Sequence, residues 1–186
     1  MFGHDAEQAL TTVVELVNSA PSTGGDEGLP DVAALVDLVE RNEVSGLGAL
    51  SERDLAQVRE LRARLLAVFE AVDRPDEAAA LVNAVVAGAR AMPRLSDHDG
   101  RHWHVHYFAP DAALAEHLAA DGGMALARVI ADGELDRLRR CEAEDCNHLL
   151  VDLSRNRSKR YCDSRRCGNR VHVAAYRERR RAAASV

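Results

Sequence analysis

From Leu10 to Met92 the apolar residues recur at the three- and four-residue spacing of helices that bury one face. Leu10, Val13, Val14 and Val17 follow Asp5, a helix-capping residue, and the Pro-, Ser- and Gly-rich stretch from Ser19 to Gly28 ends this first helix. Pro30 and Asp31 open a second, running to about Asn42, with Val32, Leu35, Val36 and Val39 on one face. Gly46 and Gly48 then break the chain. Ser51-Glu52-Arg53-Asp54 resembles a capping box and leads into the strongest periodic run, Leu55, Val58, Leu61, Leu65, Val68, Phe69 and Val72, the expected spine of the core. A fourth helix, from Glu77 to about Met92, carries Leu81, Val82, Val85 and Val86 and stops at Pro93.

The period then falls from about 3.6 to 2. Asp97-His98-Asp99-Gly100 has turn chemistry, and Arg101 to Phe108 alternates polar with apolar, which predicts a β-hairpin laid on the helices. Its buried face would carry Trp103, Val105 and Tyr107, and its polar face His102, His104 and His106. Three imidazoles on one strand face could hold a second metal or a ligand, with His98 or His117; a polar strand face is the plainer reading. A last helix, with Met124, Leu126, Ala127, Val129 and Ile130 facing inward, leads through Leu135 and Leu138 to Cys141.

Charge divides the chain. The net charge of −6 conceals a body, residues 1–136, with 10 Lys+Arg against 24 Asp+Glu (−14), and a tail, residues 137–186, with 14 against 6 (+8). The expected organisation is a mostly helical domain over 1–136, for regulation or association, and a basic polyanion-binding module over 137–186. The larger part can bury a core unaided. The smaller has few large apolar groups and needs a staple. Lys159 is the only lysine among 24 basic residues, and with abundant alanine this composition suits a GC-rich bacterial genome.

The four cysteines, Cys141, Cys146, Cys162 and Cys167, supply that staple as C-x4-C-x15-C-x4-C. Two close pairs joined by a short excursion can converge on one tetrahedral Zn2+. Two disulfides would need an oxidising compartment. The chain opens without the basic stretch and apolar core of a signal peptide, and no apolar run approaches the roughly 18 residues of a membrane span, so reduced cysteines in a cytoplasmic protein with no membrane partner are expected. No nucleophile-base constellation, Gly-rich phosphate loop or paired-carboxylate motif stands out, and a zinc closed by four cysteines has no open position; no enzyme activity is expected.

Cys162-Asp163-Ser164-Arg165-Arg166-Cys167-Gly168-Asn169-Arg170, behind Arg139-Arg140-Cys141-x4-Cys146 and Val151-Asp152-Leu153-Ser154-Arg155-Asn156-Arg157, resembles the CGNR zinc finger over about residues 137–182. The resemblance implies a treble-clef-like fold with Cys141, Cys146, Cys162 and Cys167 as ligands of one structural Zn2+. Upstream, Val14-Glu15-Leu16-Val17-Asn18-Ser19, Leu50-Ser51 and Leu81-Val82-Asn83 resemble the ABATE domain, described as a stress-induced transcription regulator, which usually precedes this finger. Near Asn18 that family reads closer to L-D-F-V-N-T, so Glu15 and Ser19 depart from it. The implied function is a zinc-containing regulator of transcription that binds duplex DNA and responds to stress or to a small-molecule ligand of its N-terminal domain. A homodimer would enlarge the small interface of one finger.

A hairpin from Leu149 to Tyr161 would present Arg155, Arg157, Lys159 and Arg160 to phosphates, and a helix from Cys167 to Ala183 would carry Arg170, Arg177 and Arg181 into a groove. The alternatives are a zinc-dependent redox switch and a protein-interaction adaptor with a basic tail.

Overall fold

The computed structural model describes residues 2–44, 48–96 and 103–184. The described elements are helices α1 (His4–Asn18), α2 (Pro21–Gly24), α3 (Val32–Arg41), α4 (Glu52–Glu70), α5 (Pro75–Gly88), α6 (Leu114–Ala131) and α7 (Asn169–Ala184), and strands β1 (Arg94–Ser96), β2 (His104–His106), β3 (Leu138–Arg140) and β4 (Leu149–Val151). No helix among the described residues is long and apolar enough to cross a membrane.

Side chains fix the starts of α3 and α4 where the sequence places them, whereas α1 starts behind Gly3 with no side-chain cap, Asp5 lying inside its first turn, and α5 starts at Pro75, two residues before Glu77. The Asp31 carboxylate accepts the Ala34 N–H at 2.9 Å. At α4, Asp54 Oδ2 accepts the Ser51 N–H at 2.9 Å and Ser51 Oγ accepts the Asp54 N–H at 3.4 Å, a reciprocal capping box. Helix α5 ends at Gly88, short of Met92. There the chain turns through Arg90 (φ 51°), and the Met92 N–H donates to Tyr107 O at 2.6 Å, which gives this segment to the β1–β2 hairpin.

Helices α1, α4, α5 and α6 close the core around Leu10, Val17, Val58, Leu65, Val68, Val82, Leu126 and Val129. Contact is close because of two glycines on α6: a Cβ at Gly122 would lie 2.6 Å from Val13, and one at Gly123 2.8 Å from Val86.

Strands β1 and β2 pair antiparallel, with Leu95 opposite Val105. Among the described residues the predicted buried face holds only at Tyr107, which packs against the core. Trp103 is 69% exposed and Val105 39%, Tyr107 is half-buried, and His106 turns inward against α6. The hairpin is held at its end: Tyr107 and Phe108 pack against the core, the Tyr107 N–H donates to Asp121 Oδ1 at 3.1 Å, and Phe108 stacks on His117 at 3.5 Å between ring centres.

Strands β3 and β4 also pair antiparallel, Leu138 opposite Val151 and Arg140 opposite Leu149. Their alternation faces two cores. Leu138, Leu149 and Val151 join the apolar core of the helices, whereas Leu150 packs with Cys141, Ala143 and Cys167. The helical body and the cysteine module therefore share one hairpin.

Candidate metal centre and basic surface

The first cysteine pair lies in the β3–β4 connection. The Cys141 N–H donates to His148 O at 2.9 Å, and the Cys146 N–H donates to Ala143 O at 3.2 Å, which folds the intervening residues into a tight knuckle. The second pair is positioned by Asp163, whose Oδ1 accepts the N–H groups of Arg165 (2.7 Å) and Arg166 (3.1 Å) and starts a π-helical turn, Ser164–Gly168. Those two donors hold the Asp163 carboxyl below its ordinary range. Cys167 lies in that turn, one residue before Gly168 leads into α7.

All four sulfurs lie within 4.8 Å of one another, and the separations Cys146–Cys162, Cys162–Cys167 and Cys167–Cys146 are 3.8, 3.7 and 3.7 Å. A tetrahedron with Zn–S bonds of about 2.3 Å has edges of about 3.8 Å. All four cysteines are free, and the separations are far beyond a disulfide bond of about 2.05 Å. The geometry and donor set fit one structural Zn2+.

The surroundings favour thiolate unequally. Burial pushes the thiols of Cys162 and Cys167 up, and neighbouring thiols add to this at Cys162. Burial opposes ionisation at Cys141 as well, but backbone N–H donors from Cys162 and Ala143 outweigh it and bring its thiol down. Four sulfurs at these distances cannot all ionise without a cation to offset their repulsion. Arg170 adds positive charge at 3.9 Å from Cys167 Sγ and braces the knuckle by donating to Glu144 O at 2.8 Å.

Between the cysteine pairs the expected hairpin from Leu149 to Tyr161 is displaced. Strand β4 pairs back onto β3, and residues 152–161 form a loop built on Asp152. Asp152 is fully buried, and its carboxylate accepts the Ser154 N–H (2.9 Å), Ser154 Oγ–H (2.5 Å) and Lys159 N–H (2.9 Å), with the Arg139 guanidinium at 3.4 Å. Burial raises its pKa, but these donors outweigh burial and hold the carboxyl below the ordinary range. Buried Arg137 donates to the carbonyls of Asp152 (2.7 Å) and Ser154 (3.0 Å) and pairs with Glu134.

The predicted nucleic-acid residues divide into two groups. Arg157 (φ 51°) pairs with Asp136 at 2.8 Å and Glu134 at 3.2 Å, Arg160 pairs with Glu142 at 2.6 Å, Lys159 Nζ donates to Val151 O at 3.4 Å, and Arg170 is tied to the knuckle. Arg155 at the loop tip and Arg177 on α7 are exposed and form no ion pair with a described residue; Arg165 and Arg166 in the π-turn, outside the predicted set, are exposed too, with the Asp163 carboxylate as their electrostatic neighbour. Arg181 is exposed near the end of α7.

Of the three hairpin histidines, His102 lies outside the described residues, as does the side chain of His104. His106 and His117 face Asp121, at 3.6 and 3.4 Å. Among the described residues the four cysteines are the one group of His, Cys, Asp or Glu arranged to hold a metal.

Asp121 and Arg137 carry no sequence signal, and Asn18 and Asp152 stand in the quoted motifs without a role assigned to them. Asn18 receives the Leu149 N–H on Oδ1 and donates from Nδ2 to Leu149 O, both at 2.8 Å, which docks α1 on β4. Aspartate followed two residues later by serine, Asp152-x-Ser154, is the sequence signal for the loop.

Two family models match. The CGNR zinc finger covers residues 137–180, and ABATE, described as "Putative stress-induced transcription regulator", covers residues 10–139, well over half of the chain. They overlap on β3, the strand the two cores share. No curated protein matches the chain.

Proposed function

The chain belongs to the ABATE family and carries a CGNR zinc finger at its C-terminal end, and from this we propose that it is a transcription regulator whose finger binds duplex DNA. The observation that carries the reading is the set of exposed arginines without an ion pair to a described residue, Arg155, Arg165, Arg166 and Arg177, on a scaffold fixed by one structural Zn2+. Arg155 stands on a loop whose backbone is fixed by bonds to Asp152 and Ser154, so binding orders its side chain but not the loop. Guanidinium groups held in this way neutralise phosphates and release counterions, and they can pair bidentately with guanine.

The internally paired residues have a different part. Arg157, Arg160 and Arg170 hold the module together and against the acidic residues Glu134 and Asp136, so their removal would loosen the scaffold before it removed a phosphate contact. A metal ligated by four cysteines keeps no position for substrate or water, which supports a regulator over a hydrolase. A homodimer, pairing two small fingers on two half-sites, is the assembly we expect on DNA.

The test is fluorescence anisotropy of a labelled random duplex across a salt series. The full chain is expected to bind with a log–log salt slope of about −3 to −4 per bound protomer, from roughly four phosphate contacts each, and Arg155→Ala with Arg166→Ala should make it shallower by about 2 per protomer. Absence of binding at low salt by the zinc-loaded full chain would remove the DNA reading.

A further inference from the structure

A cavity of about 1000 Å³ lies between α1, α6, the residues that follow α3 and the β1–β2 hairpin. Its walls are mostly apolar, with Ala9, Val13 and Leu16 from α1 and Leu118, Met124 and Ala125 from α6. That volume is in the range of pockets that enclose whole small organic molecules.

Its polar groups fall into two sets. Where α1 meets the end of α3 they satisfy one another: Thr12 Oγ donates to Gln8 O (3.1 Å) and Asn42 Oδ1 (3.0 Å), and Asn42 Nδ2 donates to Glu15 Oε2 and Leu38 O (both 2.9 Å). The hairpin side differs. There Asp121 Oδ1 takes the Tyr107 N–H, while Oδ2 stands 3.6 Å from His106 Nδ1 and 3.4 Å from His117 Nε2, at ion-pair rather than good hydrogen-bond distances. The Asp121 side chain is 25% exposed and lines the cavity.

The charged lining residues are Asp5, Glu43, Asp121 and Arg128, with the imidazoles of His106 and His117; Arg128 is tied to Asp132 at 2.7 Å, and Asp121 is the carboxylate beside the apolar wall of α6. An apolar cleft with a carboxylate anchored on one oxygen favours an apolar organic cation and disfavours an anion.

We infer that this cavity is the effector site of the regulator and that it takes a predominantly apolar molecule bearing a protonated amine, seated on Asp121 between His106 and His117. The inference rests on the regulator reading for the word effector, but not for the binding. The ammonium donates to Asp121 Oδ2, the imidazoles pack beside it, and the apolar body lies along Val13 and Leu16. Helix α1 gives the site its consequence: the helix that lines the cavity with Val13 and Leu16 ends in the Asn18 clamp on Leu149. A ligand that shifts α1 biases the strand from which the zinc module is built.

The experiment is isothermal titration of the zinc-loaded full chain, without DNA, with decylammonium, decanol and decanoate, which share a tail and differ in head group. Decylammonium is expected to bind at least about tenfold tighter than decanoate, Asp121→Asn to remove that preference, and Ala9→Phe, which fills the apolar part, to abolish binding of all three while leaving the zinc content at one per chain. Decanoate binding as tightly as decylammonium, or no decylammonium binding at about 1 mM, would overturn the inference, as would unchanged affinities in both variants. Because no DNA is present, failure of DNA binding leaves this result intact, and failure of this titration leaves the DNA reading intact.

Discussion

The side-chain amide of Asn18 and the backbone of Leu149 exchange two hydrogen bonds of 2.8 Å each, so the last residue of α1 occupies the edge of β4 as another strand would. The pair links residues 131 positions apart and joins the helical body to the zinc module. Asn18→Ala leaves the N–H and C=O of Leu149 without these partners and is expected to cost about 1 to 3 kcal/mol. Asn18→Asp should cost at least as much, because a carboxylate can accept the Leu149 N–H but repels its carbonyl. Hydrogen exchange at the Leu149 amide is the readout; protection equal to that of the unaltered chain in Asn18→Ala would show that the clamp is not what docks β4.

Removal of zinc should divide the module along the hairpin. Leu149 and Val151 are held by the body's core and by Asn18, whereas Leu150, the Cys162–Cys167 turn and α7 depend on the sulfur cluster. Chelation, or Cys167→Ser, is therefore expected to leave partial exchange protection at Leu149 while residues from Cys162 through α7 lose theirs. Uniform loss through β4 would mean that the metal, and not the body, orders the hairpin. No change at all would remove the structural role of the ion.

Periodicity is a sound guide to the apolar stripes of α1, α3 and α4 because these are local, and the caps of α3 and α4 are legible because Asp31 and Ser51 act within three residues, whereas α1 has no side-chain cap. The zinc ligands were legible for a similar reason: their chemistry is carried by residue type and spacing. What escaped was non-local. A period of 2 predicts that Trp103 and His106 face opposite ways, but it cannot say which of them meets α6, and Asp121 on that helix decides it. Likewise the arginines of residues 155–170 are alike in sequence, and only their distances to Glu134, Asp136 and Glu142 separate those that brace the module from those left to face a partner.

Asp152 should behave as a determinant of the loop without touching DNA. Its carboxylate satisfies three donors from inside the protein, so Asp152→Asn replaces an acceptor-only group by one whose NH2 opposes Lys159 or Ser154. The expected cost is about 2 to 3 kcal/mol in stability, together with a weaker duplex affinity whose salt slope equals that of the unaltered chain, since no phosphate contact is deleted. A slope reduced as much as by Arg155→Ala would instead place the Asp152 effect in the loss of Arg155 from the contact surface. Thermal melts and the salt series together separate the two.

Acid should weaken the body through Glu27. Its carboxylate receives two bonds from buried Arg62, at 2.5 and 2.8 Å, and the same guanidinium holds Ser19 O and Oγ, both at 3.1 Å, so one pair pins the segment between α1 and α3. These bonds from Arg62 lower the Glu27 pKa from 4.5 to about 2. The folded value lies below the unfolded one, so the stabilisation is complete above pH 4.5 and is lost as pH falls toward 2. About a third of the Glu27 side chain remains in water, which reduces the effect to about 1 to 2 kcal/mol at neutral pH. Urea denaturation of the unaltered chain and of Glu27→Gln is expected to show that difference at pH 7 and a convergence of the two below pH 4.5. Equal stabilities at pH 7, or a gap that persists undiminished at pH 2.5, would mean that Arg62 is held by Ser19 alone and that the charge on Glu27 contributes nothing.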